Sequence, residues 1–130
     1  MLMKHDLLSD VLSAIKNGDE FGKGETITHA SKLVREVLLL MQKHNFIGNF
    51  EYVDNKKGGK FKIQLIGNVN NCGSIRPRFP VNVDALPKYE KRFLPAEGFG
   101  FLIISTSQGL MTHNDAKQKS LGGRLLAYVY

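Results

Sequence analysis

All four prolines of this 130-residue chain fall between Pro77 and Pro95, inside the stretch NCGSIRPRFPVNVDALPKYEKRFLPAEG. A proline has no amide proton and its ring collides with the preceding helical turn, so no long helix is expected there; short strands and turns are. Long regular elements must lie to either side. Before the prolines the pattern is helical with one hairpin, and after them it is mainly strand-like. The expected fold is α+β. An N-terminal α/β lobe of two helices on a small sheet occupies residues 1–67, and a mainly β C-terminal lobe with a short helix occupies residues 68–130.

Leu7, Leu8, Val11, Leu12 and Ile15 recur at spacings of three and four, which predicts one helix, with Asn17-Gly18 as its stop. ETITH reads as a short strand. Leu33, Val34, Val37, Leu38 and Met41 trace a second helical stripe, with Ser31 as the candidate cap and an end around Asn45 to Gly48. FEYV and KFKIQLI flank the polar DNKKGG, and Lys60, Lys62 and Gln64 alternate with Phe61, Ile63 and Leu65, which predicts a hairpin with one wet face. Farther on, FGFLIIST reads as a buried strand followed by a polar loop. Asn114 or Asp115 is the expected cap of a short helix through Lys119, and GGRLLAYVY closes the chain as a strand.

Eighteen Lys and Arg against twelve Asp and Glu give a net charge of +6, so the surface attracts polyanions, nucleic acid first among them. The basic excess is denser toward the C-terminus: ten basic against eight acidic side chains up to residue 68, eight against four after it. Cys72 is the only cysteine and stands in no ligand cluster, so neither a disulfide scaffold nor a structural zinc site is supported, and no metal or cofactor is expected. MLMKHDLLSD carries early charges and no long apolar run, unlike a signal peptide or membrane span, which points to the cytoplasm and away from a membrane partner.

The segment STSQGLMTHNDAK, residues 105–117, concentrates the candidate chemistry. Ser105, Thr106 and Ser107 lie close in sequence to His113 and Asp115, which raises a serine-hydrolase reading, but no G-x-S-x-G elbow is present and His113 before Asn-Asp fits a capping neighbourhood. Short hydroxyl side chains and the backbone amides of a glycine-containing loop suit phosphates and ribose hydroxyls equally well. Lys56, Lys57, Lys60 and Lys62 on the hairpin, and Arg76 and Arg78 around Pro77, are candidate phosphate contacts or a plain solvated face. Tyr128 and Tyr130 share one side of the last strand and either stack on a base or cover the core.

STSQGLMTHNDAK followed by LGGRLLAYVY closely resembles the C-terminal signature of the family of the eighth protein of the small ribosomal subunit. AIKNG after the first amphipathic helix and ASKL opening the second resemble that family's N-terminal patterns in the same order, so the resemblance covers most of the chain. It implies a two-lobed structural protein with no covalent chemistry. It implies direct binding to an internal loop of a helix in the central domain of small-subunit rRNA, and support for assembly of that domain. By the same resemblance, Ser105, Thr106, Ser107 and Gly109 lie against RNA, with Gln108 at the variable position and Gly122 and Gly123 in the closing motif. Lys16 and Asn17 match the family's basic-Asn pair, and Ser31 and Lys32 its Ser-Lys pair at a helix start, where the dipole favours a phosphate.

Residues 76–97 and the final AYVY resemble the archaeal and eukaryotic branch, the short chain the archaeal one, whereas bacterial members usually end in Trp. Bacterial contacts of that stretch therefore do not transfer to Arg76, Arg78 or Lys91. Neighbouring small-subunit proteins are further implied partners, and the chain's own messenger RNA is one by analogy with bacterial members. The competing readings are a stand-alone, sequence-tolerant RNA binder and the serine hydrolase.

Overall fold

Leu8, Val11, Leu12 and Ile15 form the buried stripe of helix α1 (Leu7–Glu20), and the stripe continues into Gly18 rather than stopping there. The computed structural model describes residues 7–54, 59–76, 78–96 and 98–130. The helix runs through Asn17-Gly18 because its bare surface faces the sheet: a Cβ on Gly18 would lie 2.4 Å from Leu65 Cδ1. It ends instead in a Schellman motif, with Lys23 N–H donating to the Gly18 carbonyl and Gly22 N–H to that of Asp19, Gly22 holding φ +70. Asp19 then accepts from the amides of Gly67 (3.2 Å) and Val69 (3.1 Å), tying the helix end to the segment that leaves the sheet.

Helix α2 (Lys32–Lys43) starts as expected at Ser31, whose hydroxyl oxygen accepts from Val34 N–H at 3.1 Å. Its end precedes the expected one. Asn45 at φ 64 supplies the left-handed residue, with Phe46 N–H on the Met41 carbonyl, so Gly48 already belongs to a strand. The three strands β1 (Glu25–His29), β2 (Ile47–Val53) and β3 (Lys60–Leu65) pair antiparallel in the order β1-β3-β2. Phe61, Ile63 and Leu65 of β3 are buried with the helix stripes, while Lys60, Lys62 and Gln64 line the wetter face, as the alternation predicts. Lys62 pairs with Glu25 (3.4 Å) and Lys60 Nζ lies 3.4 Å from His29 Nδ1.

The chain divides into two compact units, residues 1–70 and 71–130. The second contains β4 (Cys72–Ser74), β5 (Pro80–Val81), a 3-10 turn (Val83–Ala85), α3 (Leu86–Phe93), β6 (Phe101–Thr106), β7 (Gly109–Thr112), α4 (His113–Gln118) and β8 (Gly123–Val129). The strands form one antiparallel sheet in the order β4-β8-β6-β7, with β5 also paired to β8. Leu102 and Ile104 of β6, Met111 of β7 and Leu125 of β8 share a core with Leu86 of α3 and Ala116 of α4.

Three local expectations need correction in this unit. Residues 86–93 are helical, since Pro87 sits in the first turn, where a missing amide proton costs nothing. The polar loop is mostly strand: β7 follows β6 after a two-residue turn. The cap of α4 is Thr112, whose hydroxyl oxygen accepts from Asp115 N–H at 3.2 Å, while Asn114 and Asp115 lie inside the first turn. Tyr128 stacks on Phe93 (5.7 Å) and on Tyr130 (6.2 Å) against the core, so the tyrosines pack; burial pushes the Tyr128 hydroxyl up in pKa.

Candidate nucleic-acid interface

The segment Ser105–Gly109 forms the tip of the β6–β7 hairpin. Thr106 pairs with Gly109, leaving Ser107 and Gln108 as the turn, and Gly109 at φ +108 takes a backbone conformation that side-chain-bearing residues rarely adopt. The hydroxyls divide the work. Thr106 Oγ1 accepts from Gln108 N–H (3.1 Å) and donates to the Gly109 carbonyl (2.9 Å), fixing the turn. Among the described residues, the Ser105 and Ser107 hydroxyls have no hydrogen-bond partner; Ser107 is exposed and Ser105 half-buried.

Behind the tip, Ser105 lies opposite Arg124 of β8, so their side chains share a face. The Arg124 guanidinium is held by Nη1 donating to the Arg78 carbonyl at 2.8 Å. Gly122 and Gly123 make this approach possible: added Cβ atoms would lie 2.6 Å from the Val81 carbonyl oxygen and 2.1 Å from that of Ser105. These glycines let the strands lie close together. Among the described residues, Arg124 is the cation that cross-strand register places beside the tip, and sequence reasoning passed over it. Its position directly after Gly-Gly was the available signal.

The other candidates belong to other elements. Arg76 is exposed in the connection from β4 to β5. In the first unit, Lys16 is half-buried and Asn17 exposed on α1, and Lys32 is exposed beside the Ser31 cap. The first turn of α2 carries no acidic residue. Lys56 and Lys57 lie outside the described residues.

Among the described residues, no serine meets His113. Buried His113 accepts at Nδ1 from Leu102 N–H (3.0 Å) and lies with Nε2 3.0 Å from Glu90 Oε1, so both ring nitrogens are occupied and neither by a serine. Glu90 also binds Lys117 at 2.6 Å. Burial holds the imidazole below its ordinary pKa of 6.5, against the pull of Glu90. A cleft of about 650 Å³ opens beside this network, bordered by Pro87, Lys91, Leu94 and Pro95. No group of metal-ligating side chains occurs among the described residues.

Compared with known proteins, residues 6–130 match the family model described as Ribosomal protein S8, which places the chain among ribosomal proteins. A relative named small ribosomal subunit protein uS8 in Thermoplasma acidophilum is 52% identical over 129 residues, covering 98% of this chain and 100% of the relative. Its namesake in Thermoplasma volcanium is 50% identical over the same length and coverage. The chain belongs to the ribosomal protein S8 family, in its archaeal form. This is a family of structural proteins and not of enzymes.

Proposed function

We propose that the chain is a structural constituent of the small ribosomal subunit in the cytoplasm, binding an internal loop of a helix in the central domain of its rRNA and supporting assembly of that domain. No helix among the described residues is long and apolar enough to cross a membrane. The observation that carries the reading is the hairpin tip, where the Ser105 and Ser107 hydroxyls are unengaged beside an anchored Arg124. Such groups approach ribose hydroxyls and phosphates of a folded RNA closely. Lys16, Asn17, Ser31 and Lys32 supply backbone contacts in the first unit, as do Arg76 and Arg78 in the second. Neighbouring subunit proteins complete the set of partners. A messenger carrying the same internal-loop shape, the chain's own included, suits the same surface.

Substitutions separate the roles. Ser105→Ala or Ser107→Ala weakens binding to the internal-loop RNA by about 1–3 kcal/mol with an unchanged salt slope, because a desolvated RNA group loses its partner. Lys32→Ala instead lowers the slope by about 1. Thr106→Ala, which frees the turn, lowers thermal stability and loop-RNA affinity together. If the serine and lysine variants altered affinity and slope alike in filter-binding titrations, the hairpin would have no reading role.

A further inference from the structure

On α3, Lys88, Lys91 and Arg92 stand at positions i, i+3 and i+4, so their charges share one helix face. All three are exposed, and none has an ion-pair partner among the described residues. The one acid of this helix, Glu90, points away to His113 and Lys117. Like charges at these spacings oppose one another and destabilise a helix on its own. Two of the three are also held in place: Lys88 Nζ lies over the Tyr89 ring at 5.8 Å and the Arg92 guanidinium over Phe93 at 5.3 Å, both rings half-buried against the core. All three charges remain free of carboxylates among the described residues, unlike those of Lys62 and Lys117.

We infer that this face of α3 is a second RNA-binding surface, which grips the sugar-phosphate backbone of a segment other than the internal loop read by the hairpin. The inference rests on the rRNA-binding reading above. Separation supports two segments. Phe93, beside Arg92, stacks on Tyr128, which pairs with Leu102 near the start of β6, whereas the hairpin tip lies past its end. The five residues from Leu102 to Ser107 span on the order of 17 Å of strand. Lys91 also borders the 650 Å³ cleft, whose other charged lining, Glu90 and Lys117, is paired with itself, so the free cation stands on a concave flank. An acidic peptide would offer carboxylates, but the density of three cations on two helical turns matches a repeating phosphate chain.

The test uses the full chain and two RNAs: a short hairpin carrying only the internal loop, and a longer fragment of the central domain. In Lys88→Gln/Lys91→Gln/Arg92→Gln, affinity for the short hairpin stays within about twofold of wild type, while affinity for the long fragment falls about tenfold and its salt slope drops by about 2–3. The Lys88→Arg/Lys91→Arg variant, which keeps the charge, retains wild-type binding to both. Unchanged affinity and slope on the long fragment would overturn the inference. So would an equal loss on both RNAs, which would make the cations part of a general field. Failure of the wild type to bind the short hairpin would instead sink the internal-loop reading, with the slope on the long fragment still deciding the role of α3.

Discussion

At the hairpin tip, Thr106 and Ser107 carry the same functional group, and their neighbours decide what it does. The Thr106 hydroxyl is engaged on both sides by Gln108 and Gly109, so it shapes the turn. The Ser107 hydroxyl faces solvent and is available to a partner. The same logic explains His113, a residue the sequence offered as a base. With Leu102 N–H aimed at Nδ1, only the neutral ring fits, since a proton there would set donor against donor. Burial lowers its pKa, with Lys117 adding to the effect and Glu90 opposing it. The unfolded ring therefore binds more protons than the folded one below pH 6.5. Stability is complete above that value and declines as pH falls from it toward the folded pKa. Melting curves from pH 7.5 to 5 should show this decline in the wild type and a flatter one in His113→Asn, which keeps an acceptor near Leu102 but does not titrate. Parallel profiles would assign the pH dependence to other groups.

At the scale of elements, β8 is the organising strand, since it pairs with β4, β5 and β6 and carries the glycine, Gly123, that lets β6 approach. Gly123→Ala forces the Ser105 backbone to move, because the new methyl would overlap its carbonyl oxygen. The expected cost is about 1–3 kcal/mol in denaturant unfolding, with a parallel loss of RNA affinity as the hairpin shifts. A variant with wild-type stability would show that the strands can part without consequence.

Legibility in the sequence followed the range of the interactions. The stripes of α1 and α2, the Ser31 cap and the alternation of β3 are local patterns, and each stands where the spacing predicts except for Leu7, which the first turn of α1 leaves exposed. Helix ends were harder, because Asn45 at φ 64 and Ser120 at φ 53 play the part usually given to glycine. Helix α3 was hidden by prolines whose meaning depends on position: Pro87 begins a helix and Pro95 follows its end. For the interface, the hydroxyl cluster was readable from residue type. Arg124 was not, since it meets Ser105 only through cross-strand register, in a ladder that itself shifts at Ile103/Ile104.

Across the whole molecule, affinity and fit have different sources. A net charge of +6 draws the chain to any polyanion and releases counterions on contact, an effect that salt suppresses. In the proposed function, the hairpin hydroxyls and the anchored Arg124 add little long-range attraction but depend on the RNA presenting the right surface. The proposed binding to one rRNA domain needs both, since charge alone would leave the chain spread over every helix available. The central claim, that this chain reads one folded RNA site, is tested most directly by titrating the purified protein against a central-domain rRNA hairpin carrying the internal loop and against a perfectly paired duplex of equal length, at two salt concentrations. A strong preference for the looped RNA that survives the added salt is the predicted result. Equal binding to both RNAs, collapsing together as salt rises, would contradict it and leave a basic protein without a reading surface.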